Sequence, residues 1–143
     1  MIEISQNDVA AESAYPSVFK CELPLRFADM DADQHVNNAE FYRYMEEARM
    51  RWVHTLGLAM TPPEPIPVLA ASACSFRVPL HYPGTVTVEI YLGRMGHSSV
   101  RTHYLLRSGD TLAAEGYGVS VWVDPQTQRP IALPDAVRKL AAR

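Results

Sequence analysis

Apolar residues recur with two different periods along this chain, and the change of period separates its predicted elements. Between about Ala39 and Thr55 they recur every three or four residues, which predicts one amphipathic helix about 25 Å long. Asn37 or Asn38 is a suitable N-cap, and Gly57 is placed to end the helix. The predicted core-facing stripe consists of Phe41, Tyr44, Met45, Ala48, Trp52 and Thr55.

Alternation with a period of two predicts five strands. The first covers residues 19–27 and is weakened by Pro24, which has no backbone N–H and favours a sheet edge. Four more follow the helix, within residues 67–80, 86–92, 100–106 and 112–123, and a connection is expected over residues 93–98. A short helix is predicted to begin near Leu133–Asp135. One long helix must then bury its stripe against the concave face of a curved antiparallel sheet, an α+β arrangement.

Length and composition narrow the class of protein. The chain of 143 residues fits a single domain, predicted over residues 19–143 behind a flexible polar leader at 1–18. A net charge of −3 argues against a nucleic-acid partner. No apolar run approaches the ~18 residues of a membrane span. Without a signal peptide, and with Cys21 and Cys74 interpreted as reduced thiols, the predicted location is cytoplasmic.

The candidate chemistry gathers just before the long helix, where Asp29, Asp31, Asp33 and His35 fall within seven positions. A helix N-terminus presents free backbone N–H groups and the positive end of the helix dipole. A carboxylate beside such donors can act on a substrate whose carbonyl oxygen points at them. The alternatives are a solvated acidic loop and, for His35, a side chain that only hydrogen-bonds at the helix entry.

Two further site types are considered from the residues alone. The alternating aspartates permit a cation site, but the glycine and glutamate of a calcium loop are missing, so no metal is predicted. A Ser-His-Asp triad through Ser98 or Ser99 lacks a nucleophile-elbow pattern. The segment Gly96-His97-Ser98-Ser99 is either a hairpin turn or a bend that approaches a ligand phosphate or pantetheine arm.

Several motifs together resemble those of a known family. They are Asp31 with His35-Val36-Asn37-Asn38-Ala39, then Met45-Glu46-Glu47-Ala48-Arg49, Phe76-Arg77-Val78-Pro79-Leu80, Gly96-His97-Ser98-Ser99-Val100 and Val123-Asp124 with Arg129-Pro130 and Leu133-Pro134. In this order they resemble the hotdog-fold acyl-CoA thioesterases, in the branch of 4-hydroxybenzoyl-CoA thioesterase and the bacterial long-chain acyl-CoA thioesterases. The likeness covers nearly the whole chain after residue 18.

The resemblance implies a five-stranded antiparallel sheet wrapped around one central helix, in a homodimer or homotetramer with active sites between subunits. Asp31 matches the catalytic aspartate, as general base or nucleophile, and the N–H of Asn38 matches the donor that polarises the thioester carbonyl. His35 is a third candidate catalytic residue, and Gly96, His97, Ser98 and Ser99 are candidates for binding coenzyme A. Many relatives have glycine where this chain has Gln34.

The predicted function is therefore hydrolysis of acyl-CoA to free acid and CoA, without a separate cofactor. Two alternatives stay open. One is a hydratase-like enzyme of the same fold that acts on enoyl-CoA, with Asp31 and His35 as acid and base. The other is a non-catalytic protein that binds acyl thioesters.

Overall fold

The computed structural model of the chain describes residues 15–142, which form seven principal elements. The elements are β1 Ser17–Pro24, α1 Asn38–Thr55, β2 Ile66–Phe76, β3 Thr85–Met95, β4 Ser99–Ser108, β5 Thr111–Val123 and α2 Asp135–Arg138. A 3-10 turn at Phe27–Asp29 lies between β1 and α1, and a second 3-10 turn, Lys139–Ala142, follows α2.

All strand pairs are antiparallel, and the five strands lie in the order β1-β3-β4-β5-β2. The predicted five-stranded antiparallel sheet with few helices is thus confirmed. β1 and β2 form the two edges, and α1 connects them along the chain. Pro24 is the last residue of β1, an edge strand, which is where a sheet tolerates a residue without an N–H.

Three predicted strand limits were wrong by three or four residues. The first strand stops at Pro24 because Leu25 turns away, its N–H donating to the carbonyl of Gly84 at 2.8 Å. The second stops at Phe76, and residues 77–84 form a loop. The third continues through Gly93 to Met95. A Cβ on Gly93 would lie 2.8 Å from the ring of His103, so this glycine marks a close approach within the sheet rather than a turn.

The core lies between α1 and one face of the sheet. Five of the six predicted stripe residues are buried, but Thr55 is exposed, and Val53 and Arg49 are buried in addition. Gly116 on β5 makes room for Met45, because a Cβ there would lie 2.6 Å from its sulfur. The Arg49 guanidinium donates to the hydroxyl of Tyr104 at 3.2 Å. The helix therefore contacts both β4 and β5.

Of the predicted leader, residues 1–14 lie outside the described residues, whereas Ser17 and Val18 already belong to β1. Cys21 and Cys74 are both free, and burial raises the pKa of the Cys74 thiol to about 12. Within residues 15–142 no helix is both long and apolar enough to cross a membrane.

Candidate active site

Residues 29–37 fold into a narrow hairpin that leads into α1, and we call it the entry hairpin. At its base the N–H of Asn37 donates to the carbonyl of Asp29 at 2.9 Å. Met30 and Val36 form an antiparallel bridge above that bond. Near the tip the N–H of Asp31 donates to the carbonyl of His35 at 2.9 Å. The loop that the sequence marks as chemically important is therefore held by its own backbone hydrogen bonds.

Gln34 closes the tip of the entry hairpin with a positive φ of 62°. Its N–H donates to the carbonyl of Asp31 at 3.0 Å. Residues with a Cβ adopt this left-handed conformation at a cost, and glycine adopts it freely. The glycine of many relatives at this position fits that backbone requirement, and Gln34 meets it with a larger side chain.

The three aspartates of the loop differ in their surroundings. Asp31 is exposed at the tip, and its carboxylate accepts a hydrogen bond from the N–H of Asp33 at 2.9 Å. Asp33 is exposed as well, but Asp29 is buried. They therefore do not face one cation together, and no group of metal-ligating side chains occurs in the part of the chain that the structure describes.

The start of α1 leaves one backbone donor available. Asn37 is the N-cap: its side chain accepts from the N–H of Ala39 at 2.9 Å, and its carbonyl accepts from the N–H of Glu40 at 2.9 Å. The N–H of Asn38 donates to no group within residues 15–142, and Asn38 is exposed. This donor, at the positive end of the helix dipole, is free to bind a ligand oxygen.

His35 lies on the same hairpin, but its contact with Asp31 is made by its backbone carbonyl. Its ring packs edge-on against the ring of His81, with 4.8 Å between the ring centroids. The Nδ1 atom of His81 lies 3.2 Å from the carbonyl oxygen of Gln34. The two histidines therefore brace the tip against the loop between β2 and β3.

Asp29, to which the sequence analysis gave no catalytic role, is the most enclosed carboxylate of this loop. Its Oδ2 accepts hydrogen bonds from the Tyr44 hydroxyl at 2.8 Å and from the Arg26 N–H at 3.0 Å, and the Arg26 guanidinium lies 3.4 Å from Oδ1. Burial by itself would raise the pKa of Asp29, but these donors outweigh it and the pKa is lowered. Burial and the hydrogen bond to Asp29 raise the pKa of Tyr44, which stays a donor.

A sequence signal for this arrangement was present. Tyr44 is the polar-tipped member of the apolar stripe, and a buried tyrosine hydroxyl usually has a partner. Three aspartates precede the helix closely enough in sequence to be that partner, and nothing in their spacing distinguished Asp29 from the other two. Only the turn at Phe27–Asp29 brings this carboxylate under the helix.

Gly96–Ser99 lies at the other end of the sheet. β3 begins beside the loop that contacts the entry hairpin and ends at Met95, just before Gly96, and its 11 residues span about 30 Å. The carbonyls of Gly96 and His97 accept from the Arg138 guanidinium at 2.9 and 3.0 Å. Within one protomer the structure therefore does not bring Ser98 or Ser99 to His35 and Asp31, and no triad forms among them.

Residues 25–140 match the model of the thioesterase-like superfamily. The chain belongs to that superfamily. The resemblance to hotdog-fold thioesterases is confirmed, and the match spans both the entry hairpin and the Gly96–Ser99 segment.

Similar proteins agree with this membership. The chain is 23% identical over 125 residues to a 1,4-dihydroxy-2-naphthoyl-CoA hydrolase of Prochlorococcus marinus, covering 79% of this chain and 82% of the relative. The solved structure of the PA2801 protein from Pseudomonas aeruginosa matches with a TM-score of 0.85 and 33% sequence identity. The match covers 88% of this chain and 99% of the PA2801 chain. A gentisyl-coenzyme A thioesterase, the BH1999 protein, shares the fold at 20% identity, with a TM-score of 0.77 and coverage of 83% and 98%.

Proposed function

We propose that this protein hydrolyses acyl-CoA thioesters, with Asp31 and the N–H of Asn38 as its catalytic groups. The observation that carries the proposal is that one short hairpin presents an exposed carboxylate at its tip and leads directly to a free amide donor at the helix start. A carbonyl oxygen bound at Asn38 would leave its carbon accessible to Asp31 or to a water beside it.

The chemistry requires little beyond these groups. Asp31 either attacks the thioester carbon or removes a proton from the attacking water, and the C–S bond then breaks to release the CoA thiolate. In the first route a mixed anhydride forms on Asp31, and water hydrolyses it to release the free acid and restore the carboxylate. Because a thiolate leaves readily, no strong general acid is needed. The N–H of Asn38 would stabilise the oxyanion, a contribution of about 3 kcal/mol for a donor in comparable sites.

We further propose a homodimer formed through the edge strand β2. Exposed apolar side chains border this edge on β2, on the loop after it and on α1, whereas the β1 edge carries Lys20, Glu22 and the N–H-less Pro24. A long apolar edge strand is a ready template for pairing. The side chains at the β2 edge are Tyr42, Val68, Leu69, Phe76 and Val78, each between 37% and 44% exposed.

Such pairing also supports a site shared between protomers. β2 runs from the Gly96–Ser99 end of the sheet, where Ile66 pairs with Val123, to the entry-hairpin end at Phe76. An antiparallel β2–β2 contact would place the partner's copy of the Gly96–Ser99 segment at the same end as the entry hairpin. We therefore propose that this segment binds the CoA moiety of a substrate held by the other protomer. A sedimentation mass near the 16.0 kDa of one chain would refute the dimer.

The remaining parts of the proposal have separate support. We infer that α1 is the central helix around which the sheet wraps, because Phe41, Met45 and Trp52 are buried among side chains of the sheet. The cytoplasm is the proposed location, since both cysteines are free thiols. The acyl group is proposed as a class, CoA-linked aromatic or aliphatic acids. Two similar proteins are named a 1,4-dihydroxy-2-naphthoyl-CoA hydrolase and a gentisyl-coenzyme A thioesterase, and their identities to this chain are 23% and 20%.

The test is thiol release from a panel of saturated, aromatic and enoyl-CoA thioesters, followed with a thiol-reactive dye. Hydration of the enoyl thioester is followed separately by the loss of its conjugated absorbance. Thiol release from a saturated or aromatic substrate, abolished by Asp31→Asn, would support the thioesterase. Hydration without thiol release would favour the hydratase, and binding without either reaction would favour the non-catalytic alternative.

A further inference from the structure

Asp29 is bonded through its side chain and its main chain at the same time. Its carboxylate accepts from the Tyr44 hydroxyl at 2.8 Å, and its backbone carbonyl accepts from the N–H of Asn37 at 2.9 Å. Tyr44 lies in the second turn of α1, and Asn37 is the N-cap of that helix. One buried residue therefore ties the segment after β1 to the side of α1 and to its first turn.

These bonds form the base of the entry hairpin, and the proposed catalytic groups lie just beyond them. Asp31 follows Asp29 by two residues on one side, and Asn38 follows Asn37 directly on the other. The next bonds toward the tip are the Met30–Val36 bridge and the Asp31–His35 backbone hydrogen bond. Any shift at the base would be passed along this ladder and would move the Asp31 carboxylate relative to the N–H of Asn38.

We propose that Asp29 and Tyr44 are positioning residues, whose side-chain hydrogen bond fixes the carboxylate of Asp31 relative to the amide of Asn38. The inference rests on the proposed thioesterase function. A displacement of about 1 Å in a catalytic group can cost up to about 100-fold in rate. A carboxylate suits the role because both of its oxygens accept: Oδ2 receives the Tyr44 hydroxyl and the Arg26 N–H, and Oδ1 faces the Arg26 guanidinium.

The chain offers a matched control for a lost tyrosine hydroxyl. Tyr104 is as deeply buried as Tyr44, and its hydroxyl bonds Thr102 at 2.6 Å and Arg49 at 3.2 Å. It lies in the middle of β4, and within residues 15–142 its hydroxyl makes no hydrogen bond to the entry hairpin. Tyr44→Phe and Tyr104→Phe each remove one buried hydroxyl and keep the ring, so they separate an effect on position from a general loss of stability.

The experiment measures the melting temperature, and kcat and KM at a temperature where all variants are folded, for Tyr44→Phe, Asp29→Ala, the double variant and Tyr104→Phe. We expect kcat to fall about 10-fold or more in Tyr44→Phe and Asp29→Ala, with KM within about twofold. The double variant should be no slower than Asp29→Ala, because Asp29→Ala already removes the bond that Tyr44→Phe breaks. Tyr104→Phe should keep kcat within about twofold, even with a similar loss in melting temperature.

Wild-type kcat in Tyr44→Phe and Asp29→Ala would overturn the inference. A fall in kcat that is proportional to the fall in melting temperature in every variant, including Tyr104→Phe, would overturn it as well. If the wild type releases no thiol from any substrate, the proposed function fails, and amide hydrogen exchange then decides the positioning role. Tyr44→Phe should speed exchange at the N–H groups of Asp31, Gln34 and Asn37, whereas Tyr104→Phe should not. Unchanged protection of these groups in Tyr44→Phe would refute the inference on its own.

Discussion

At the base of the entry hairpin Asp29 is 3% exposed and faces three donor groups, whereas at the tip the exposed Asp31 accepts from a single N–H. Two carboxylates two residues apart thus have opposite surroundings. The buried one has its acceptor atoms occupied by the protein, so it contributes to structure. The exposed one retains acceptor capacity for chemistry.

The entry hairpin thus keeps its rigid part, the base, separate from its reactive part, the tip. A reactive carboxylate needs access to its substrate, and it also needs a fixed position. The base supplies the position, because an ionised buried carboxylate gives strong charge-assisted hydrogen bonds. Removing the charge of Asp31 should therefore change activity with little effect on stability, and substitutions of Asp29 should change both.

The largest expected effect is that of Asp31→Asn at the tip. It keeps the shape of the side chain and removes the charge needed for attack or for activation of water, so turnover should fall about 100-fold or more, with substrate binding retained. Asp33→Asn is the matched control and should cost far less. Steady-state kinetics on the best acyl-CoA measures both. A dead Asp33→Asn beside a nearly normal Asp31→Asn would shift the catalytic role by two residues.

The next effect concerns the amide donor at the helix start. Asn38→Pro removes the N–H, and proline fits the first helical position, where the preceding Asn37 already has an extended ψ of 137°. Turnover should fall about 100-fold with a modest loss of stability. Asn38→Ala keeps the N–H and should retain much of the activity. Equal turnover in these two folded variants would exclude the donor role.

At the base, Asp29→Ala should lower the free energy of unfolding by about 1–3 kcal/mol, because the Tyr44 hydroxyl and the Arg26 N–H lose their acceptor. The effect should depend on pH. Since the folded pKa of Asp29 is lowered, its stabilisation is fully present above the unfolded value near pH 4 and is lost as pH falls through the folded pKa.

Urea unfolding of the wild type and of Asp29→Ala at neutral pH and near pH 2 measures this dependence, with Asp33→Asn as the exposed control. The difference between wild type and Asp29→Ala should shrink in acid. A difference that stays constant across this range would contradict an ionised Asp29 as the source of the stabilisation.

The smallest effect is expected at Gln34. Gln34→Gly should relieve the positive φ of 62° and raise the free energy of unfolding by up to about 1 kcal/mol, with kcat unchanged. Gln34→Val places a β-branched residue in the same conformation and should destabilise the tip. A stable, fully active Gln34→Val would show that the tip does not need this backbone conformation.

Much of this arrangement could be predicted from the sequence, because it depends on local interactions. The helix period, the capping asparagine and the strand alternation are set by residues within a few positions of each other. The predicted helix start therefore differs from the observed Asn38 by one residue. The predictions failed where contacts between residues distant in sequence determine the structure. Gly93 was predicted to lie in a connection between strands, but it lies within β3, where the ring of His103 packs against it.

By itself the sequence determined that a carboxylate-rich loop leads into an amphipathic helix and that five antiparallel strands accompany it, because periodicity and capping act along the chain. Only the tertiary structure decided which aspartate is buried. Nothing in the sequence pattern distinguishes Asp29 from Asp31, and it is the fold that brings Tyr44 beside Asp29. It also decided that Gly96–Ser99 and the entry hairpin lie at opposite ends of the sheet, because strand register places residues that sequence distance does not relate.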